Sequence, residues 1–311
     1  MNLSAVAANA SFDAQREQSR TRQLAFQALA FVASFALLVS RRPDVIFNAQ
    51  FYAEDGARWY ADAYHLGWRC LLLPETGHLQ TVSRLIALIS LLFPFTVVPL
   101  FMNFCALIVQ ILPVNLFLSD RFGSIPFHIR LIAVALYLGL PNSVETHANT
   151  TNVPWRLALL ACLVLFAAAP PSRNWKLFDF SVLVCISLDS PLGFVLVPLA
   201  AALMWKRRDN YSKWQLAILI PGTFLQLLVL VYSHSRMPVE NGATLARLAG
   251  ILGGQVFLSA VFGVHSLAQL YLFYSRQLLL NAELACLILG FTLMLCSFRY
   301  ARFKVAALFV I

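Results

Sequence analysis

Long apolar runs separated by short polar connections make up most of this chain. The apolar positions within a run are consecutive, which indicates helices that are apolar on all sides and not strands with one polar face. We predict an all-α fold: a polytopic integral membrane helical bundle of about 8–9 crossings, forming one transmembrane domain over residues 1–311. Several runs are shorter than the roughly 20 residues that span a bilayer, so tilt or neighbouring residues must extend them. The clear runs lie near Gln23–Ser40, Val97–Leu118, Leu131–Leu140, Trp155–Ala169, Leu177–Leu188, Leu192–Trp205, Leu216–Tyr232 and Leu278–Ser297.

Basic residues cluster in the connections and predict the side that each connection faces, because cations are retained on the cytoplasmic side of a membrane. Arg16, Arg20 and Arg22 make residues 1–22 a cytoplasmic tail, although Arg41 and Arg42 oppose this orientation. The other cytoplasmic connections are marked by Arg121 and Arg130, by Arg173 and Lys176, by Lys206, Arg207, Arg208 and Lys213, and by Arg299, Arg302 and Lys304. Outward loops are then expected at 41–81, at 141–154, around 190 and at 233–246.

Two apolar pieces conflict with this alternation, Leu85–Phe93 and Leu248–Val264. If both crossed the membrane, the basic clusters would fall on the wrong side, so we expect both pieces to lie at the interface or to re-enter partway. The chain ends in VAALFVI directly after a basic cluster. We interpret that ending as the start of a further crossing, and hence as a truncated C-terminus.

Composition excludes several classes of protein. Hydrophobic residues make up 60% of the chain and charged residues 12%, against roughly 45–50% and 25% in soluble domains. The net charge of +9 is explained by the cytoplasmic clusters, so we expect no nucleic-acid partner. The six cysteines lie mostly in apolar runs and form no C-x-x-C pair, so they indicate core filling and not a metal or disulfide framework.

The first outward loop, 41–81, contains the stretch FYAEDGARWY with adjacent acids at Glu54 and Asp55. At helical spacing Asp55, Arg58 and Asp62 share one face, and Trp59, Ala63 and Leu66 share another. This predicts an amphipathic juxtamembrane helix that lies on the membrane with its aromatic face down. The two acids either cap the helix N-terminus, where negative charge is favourable, or act as a base or metal ligand. Spacing leaves both interpretations open.

The order of motifs in this loop resembles bacterial multi-spanning glycosyltransferases of the GT-C type, which carry an acidic motif in their first outward loop. The matching residues are Glu54-Asp55-Gly56, Gly67, Pro74, Gly77-His78-Leu79 and Arg84-Leu85-Ile86-Ala87. The similarity continues through HANTTNVPWRLALL at 147–160 and LDSPLGFVLVPLAAALMWKRR at 188–208, and it covers most of residues 25–230. The chain departs from the pattern at His78, where a Tyr is commoner, and at Asp189, where a small residue is expected.

The resemblance implies a fold, a location and a chemistry. The protein would lie in a bacterial inner membrane and transfer a sugar, with inversion, from a polyprenyl-phosphate donor to a glycan, lipid or protein acceptor on the outer face. Asp55 would deprotonate the acceptor or hold a divalent cation against the donor phosphate, with Glu54 in reserve. Partial desolvation raises the pKa of a carboxylate at such a site, which suits a general base.

Other polar residues are candidates for substrate binding, and each has a structural alternative. Glu145 and His147 would contact a metal or donor phosphate, or are solvated loop positions. Asn152 and Trp155 would bind sugar, although Trp155 also suits an interfacial anchor. Arg84 would pair with the donor phosphate or extend to the headgroups. The resemblance adds His78 to this set.

Asp189 interrupts an apolar segment, where a carboxylate is costly and is usually functional or paired. It therefore supports a rival class, a transporter or flippase of lipid-linked sugars. Transporters usually contain repeated halves, and the sequence shows none. A third possibility is a non-catalytic membrane component of polysaccharide assembly, for which Asp55 would be replaceable.

Overall fold

The computed structural model describes residues 3–140, 145–233, 244–259 and 275–300, together with positions 263, 269, 272 and 273. These residues are almost entirely helical, so the all-α prediction is confirmed. The α-helices are α1 Leu3–Arg41, α2 Asp44–Phe47, α3 Ala61–Leu66, α4 Thr81–Ser90, α5 Val98–Leu118, α6 Phe127–Gly139, α7 Val153–Phe166, α8 Arg173–Asp189, α9 Gly193–Arg207, α10 Asn210–Tyr232, α11 Leu245–Ala249 and α12 Arg276–Tyr300. The π-helical segments are Asp55–Tyr60 and Gly250–Leu258, the 3₁₀ turns are Gly67–Leu72, Phe95–Val97 and Asp120–Phe122, and the strands are β1 Pro74–Glu75 and β2 His78–Leu79.

Three of the described helical segments are long and apolar enough to cross a membrane: Thr21–Arg41, Phe95–Leu118 and Asn210–Tyr232. Each coincides with a predicted apolar run. By length and composition these three helices could cross a membrane, and the 8–9 crossings predicted from the sequence stay a prediction.

Helix α4 contains most of the doubtful run Leu85–Phe93. It has 10 residues, so at about 1.5 Å per residue it extends roughly half the thickness of a hydrocarbon core and is too short to cross alone. In the other doubtful run, residues 248–259 form the end of α11 and a π-helical segment. Residues 260–262 and 264 of that run, and the terminal VAALFVI, lie outside the described residues.

The chain divides into two compact units. The first contains the described residues of Met1–Leu73, His78–Leu138 and Ala148–Leu230, and the second contains those of Pro74–Gly77, Gly139–His147 and Val231–Ile311. The first unit holds α1 to α5, most of α6 and α10, and all of α7 to α9. In the second unit α12 packs closely on the π-helical segment, since a Cβ added to Gly253 would lie 2.0 Å from the Glu283 carbonyl oxygen.

Small residues bring the later helices of the first unit together. A Cβ added to Gly193 of α9 would lie 2.1 Å from Thr223 Oγ1 of α10. A Cβ added to Gly222 of α10 would lie 2.2 Å from Ser187 Oγ of α8. Close approach through small residues is the usual packing of membrane helices, because lipid tails leave no hydrophobic driving force between them.

A buried ion pair joins several connections at one end of these helices. Arg121 Nη1 and Nη2 donate to Asp179 Oδ1 and Oδ2 at 2.6 and 2.8 Å, and Tyr211 Oη donates to the same carboxylate. Arg121 Nε also donates to the Ala168 carbonyl oxygen at 3.1 Å. The connections around 121, 168 and 209 therefore meet at one end of the helices, although which side of a membrane this end faces stays a prediction.

The first outward loop differs from its predicted amphipathic helix. Residues Asp55–Tyr60 form a π-helical turn before α3 begins, and this wider turn places Asp55 and Trp59 together on a buried face. Trp59 and Ala63 are packed inside the protein instead of facing lipid, while Leu66 is exposed. Sequence periodicity identifies an apolar face but does not distinguish lipid from protein as the surface that covers it.

Candidate active site

Asp55 is enclosed by the loop that precedes α7. Its side chain is 1% exposed, and it accepts four hydrogen bonds from two consecutive threonines. Oδ1 accepts from Thr150 Oγ1 at 2.6 Å, from Thr151 N at 2.9 Å and from Thr151 Oγ1 at 2.9 Å. Oδ2 accepts from Thr150 N at 3.2 Å. The carboxylate therefore joins the loop 41–81 to a loop about 95 residues later.

Local backbone geometry positions this carboxylate. Gly56 follows it without a side chain, because an added Cβ would lie 2.8 Å from the Phe51 ring. The π-helical turn that begins at Asp55 ends where the Ala61 N–H reaches the Gly56 carbonyl oxygen. The EDG triplet in the sequence thus combines a buried acid with the small residue that lets Phe51 pack beside it.

Burial and hydrogen bonding act on Asp55 in opposite directions. Desolvation raises the pKa of the Asp55 carboxyl above its ordinary value, and the hydrogen bonds from Thr150 and Thr151 lower it. Desolvation is the larger effect. The sign agrees with the expectation of a raised pKa, and enclosure of Asp55 by the protein accounts for the desolvation.

Arg84 lies beside the same π-helical turn. Its Nη1 donates to Asp62 Oδ2 at 2.6 Å, and its guanidinium carbon lies 4.9 Å from the centre of the Trp59 ring. Trp59 Nε1 in turn donates to Thr151 Oγ1 at 3.1 Å. Arg84 is buried, and its Nε has no hydrogen-bond partner among the described residues. This cation is therefore inside the protein and not extended to lipid headgroups.

The segment from Leu79 to Arg84 is held by two helices and a loop. Asp189 Oδ1, at the end of α8, accepts from Val82 N at 2.7 Å. The Gln226 side-chain amide of α10 pairs with both backbone groups of Leu79, accepting from N at 2.9 Å and donating to O at 3.2 Å. Ser83 Oγ donates to the Thr150 carbonyl oxygen at 2.7 Å. The predicted site residues Asp55, Arg84 and Asp189 thus belong to one network of the first unit.

The remaining candidates lie in less enclosed positions. His78 is half-buried, with Nε2 at 3.2 Å from Gln80 Nε2. Asn152 donates from both its backbone N and its side-chain Nδ2 to Asn149 Oδ1, so the two residues close a turn of the loop. Trp155 is 60% exposed, which suits both sugar stacking and interfacial anchoring.

Glu54 is half-buried, Glu145 is exposed and His147 is buried. Glu145 and His147 belong to the second unit. Among the described residues no group of three or more His, Cys, Asp or Glu side chains is arranged to hold a metal ion. A divalent cation held by Asp55 stays a prediction.

Sequence reasoning missed the groups that enclose the acids. Thr150 and Thr151 appeared only as part of a polar loop, and Ser83 had no assigned role. Gln226 gave a usable signal, since an amide inside the apolar run of α10 needs a hydrogen-bond partner in a membrane. No signal in the sequence pairs that amide with Leu79.

Comparisons with protein-family models, with curated proteins and with solved structures found no match to this chain.

Proposed function

We propose that this protein is a membrane glycosyltransferase that uses a polyprenyl-phosphate sugar as donor and a glycan, lipid or protein as acceptor. The observation that carries the proposal is the buried network that brings Asp55, Arg84 and the Thr150–Thr151 loop together from three separate parts of the chain. A carboxylate with a raised pKa and a buried arginine in the same network suit the transfer of a sugar from a phosphate to an acceptor hydroxyl. The resemblance of the EDG loop to GT-C enzymes supplies the class of reaction.

In the proposed reaction the acceptor hydroxyl gives its proton to Asp55 while its oxygen attacks the anomeric carbon of the donor. The bond from that carbon to the phosphate oxygen breaks, and polyprenyl phosphate leaves with both electrons. Oδ2 is the oxygen suited to take the proton, because among the described residues it accepts one hydrogen bond whereas Oδ1 accepts three. Arg84 would bind the leaving phosphate, exchanging its bond to Asp62 for one to the phosphate.

The enclosure of Asp55 adds a requirement to this proposal. An acceptor reaches Oδ2 only if the Thr150–Thr151 loop withdraws from the carboxylate. Ala148, at the start of that loop, has a positive φ of 52°, a conformation that a non-glycine residue rarely adopts. We therefore propose that acceptor binding replaces the hydrogen bonds from Thr150 and Thr151.

The test is complementation in cells that lack the native gene, with glycan modification as the readout. Asp55→Asn should reduce modification by about 10²–10⁴-fold, the usual contribution of a general base. Thr150→Val is the matched control, because it removes a hydroxyl donor from the same network and leaves the carboxylate. Membrane insertion of each variant is measured in parallel.

Unchanged modification by an inserted Asp55→Asn protein would assign Asp55 a structural role and contradict the proposal. Equal loss in Thr150→Val, with normal insertion, would show that the network and not the base is what transfer needs. Glu54→Gln tests the reserve candidate in the same assay. If Glu54→Gln abolishes glycan modification while Asp55→Asn remains active, Glu54 and not Asp55 is the base.

Transport of a lipid-linked sugar is the second candidate function, and it is favoured by Asp189. This carboxyl is fully buried, and its Oδ2 has no hydrogen-bond partner among the described residues. Buried carboxylates without a cation occur along proton and substrate pathways of transporters. If the protein is a transporter, it should move lipid-linked sugar across the membrane of reconstituted vesicles, and the Asp55→Asn variant should have the same activity.

A further inference from the structure

We propose that Asp189 is a positioning residue that holds the N-terminus of α4 and, through α4, holds Thr150 against Asp55. This inference rests on the proposed function only where Asp55 acts as the base. This role is an alternative to contact with substrate and to a place on a transport path, the two other roles considered for Asp189.

The first step is a reciprocal junction between two helices. Asp189 ends α8, and its Oδ1 accepts from Val82 N in the first turn of α4 at 2.7 Å. Thr81, the first residue of α4, donates from Oγ1 to the Leu188 carbonyl oxygen at 2.9 Å. Each helix end thus supplies a partner for a backbone group that the other helix leaves unpaired. No residue next to α4 in sequence does this, since Gln80 at its N-cap position makes no side-chain cap bond.

The second step leads from α4 to Asp55. Ser83 follows Val82, and its Oγ donates to the Thr150 carbonyl oxygen at 2.7 Å. Thr150 donates from both its N and Oγ1 to Asp55. Ser83 and Thr150 are fully buried, so water does not compete for these bonds. A displacement of the α4 N-terminus is therefore passed to the groups that hold Asp55.

The surroundings of Asp189 fit positioning better than contact with a ligand. It is 0% exposed, and no Lys or Arg among the described residues lies within ion-pair distance of it. Its contact with Val82 N uses one carboxyl oxygen as an acceptor. An amide oxygen provides the same acceptor, whereas a methyl group provides none.

Hydrogen exchange of the full chain in detergent, read by mass spectrometry, tests the connection without an activity assay. Asp189→Ala should raise the exchange rate by at least about tenfold in two segments. One is 80–84, which Asp189 contacts directly, and the other is 148–153, which Asp189 does not contact. Asp189→Asn should restore wild-type exchange in both segments. Asp209→Ala is the matched control, because Asp209 accepts from Ser212 N at 2.8 Å at the start of α10. It should change exchange near 210–213 and leave 148–153 unchanged.

The pH dependence of transfer provides a readout that loss of stability alone does not move. If Asp189→Ala loosens the enclosure of Asp55, water reaches that carboxyl and the acid limb of the pH–rate profile moves to lower pH. Asp189→Asn should keep the wild-type profile. A wild-type protein that transfers no sugar would end the proposed function, while exchange at 148–153 would still decide the positioning role.

Two results would overturn the inference. One is an Asp189→Ala protein in which exchange rises at 80–84 while 148–153 stays protected. The other is an Asp189→Asn protein that behaves like Asp189→Ala, since the charge and not the acceptor oxygen would then be what matters. If Asp189→Ala does not fold, Ser83→Ala removes the next link and should raise exchange at 148–153 alone; no rise there would have the same meaning as the first result.

Discussion

At Asp55 the free energies of desolvation and of hydrogen bonding oppose one another. A carboxylate taken out of water loses solvation, and the Thr150 and Thr151 donors replace part of it. The net pKa shift of Asp55 is upward because desolvation outweighs the hydrogen bonds from these uncharged donors. A side chain in this condition stabilises a loop contact while ionised and is also a better proton acceptor than an exposed aspartate. The hydrogen bonds to Asp55 come from the Thr150–Thr151 loop, and Glu54, at the N-cap position of the π-helical turn, makes no side-chain cap bond.

The raised pKa of Asp55 predicts a pH-dependent difference in stability. An acid whose pKa is raised by folding contributes stability that is fully present below the unfolded pKa of 3.8 and is lost as pH rises through the folded pKa. Wild-type protein should therefore lose stability relative to Asp55→Asn as pH rises above about 3.8, with a constant difference at neutral pH. Thermal unfolding midpoints of the two proteins in detergent, measured across that range, check this.

Asp209 is the control for that measurement, because a hydrogen bond from the Ser212 backbone lowers the pKa of its carboxyl. Its contribution is present above the unfolded pKa and is lost as pH falls through the folded pKa, so Asp209→Asn should give a slope of the opposite sign. Equal slopes for Asp55→Asn and Asp209→Asn would contradict the assignment of a raised pKa to Asp55.

At the scale of elements, the helices were predictable and their contacts were not. The run near Val97–Leu118 becomes α5 almost residue for residue, and the run Leu216–Tyr232 lies within α10, which begins earlier, at Asn210. Both helices continue through an internal proline, Pro113 and Pro221, because an apolar stretch has few other stable forms in a membrane. The 55–66 segment differs, since a π-helical turn replaces its first helical turn. The wider turn of a π-helix cannot be recognised from the sequence pattern of a segment this short.

Close helix packing predicts a steric effect at Gly222. An alanine Cβ there would meet Ser187 Oγ at 2.2 Å and the Ser187 backbone carbon at 3.2 Å, so Gly222→Ala should cost about 1–3 kcal/mol through overpacking of α8 against α10. Unfolding free energy of the detergent-solubilised protein measures this. Gly139→Ala is the control, because an added Cβ has nothing within 4 Å there. A stable Gly222→Ala protein would mean that the two helices separate at little cost.

For the whole molecule, two buried polar clusters lie toward different ends of the same helices in the first unit. α8 carries Asp179 in its first half and Asp189 at its C-terminus, and α10 carries Tyr211 near its start and Gln226 near its end. Connections with basic clusters meet at the Arg121–Asp179 end, and the acidic loop meets the Thr150 loop at the other. This grouping is what a chain that alternates across a bilayer requires.

Replacing only one partner of the buried Arg121–Asp179 ion pair should strongly reduce the free energy of unfolding. Asp179→Ala leaves a buried guanidinium without its bidentate partner, and the expected loss is about 3–5 kcal/mol of unfolding free energy. Replacing both residues, as Arg121→Met with Asp179→Leu, should cost less than the single change. Asp44→Ala, which breaks the exposed Arg42–Asp44 pair, should cost less than about 1 kcal/mol. Equal losses in Asp179→Ala and Asp44→Ala would show that the first pair is solvated.

Membrane orientation is tested by labelling single cysteines in a variant whose six native cysteines are replaced. Gln50→Cys and Arg69→Cys lie in the loop predicted to face outward, and Ser172→Cys and Asn210→Cys lie in connections predicted to face the cytoplasm; all four positions are exposed. A membrane-impermeant maleimide added to intact cells should label the first pair, and should label the second pair only after permeabilisation. Labelling of Gln50→Cys and Ser172→Cys under the same condition would contradict the predicted alternation.

The sequence by itself determined the helical class, the positions of the long apolar helices and the loop that carries the acids. These follow from the order of apolar, basic and small residues, which acts locally along the chain. The tertiary structure decided that Asp55 faces Thr150, that Asp189 ends in contact with α4, and that Trp59 packs inside the protein. Each of these contacts joins residues about 90 or more positions apart, and their pairing depends on how the helices pack in three dimensions, which periodicity along one segment does not encode.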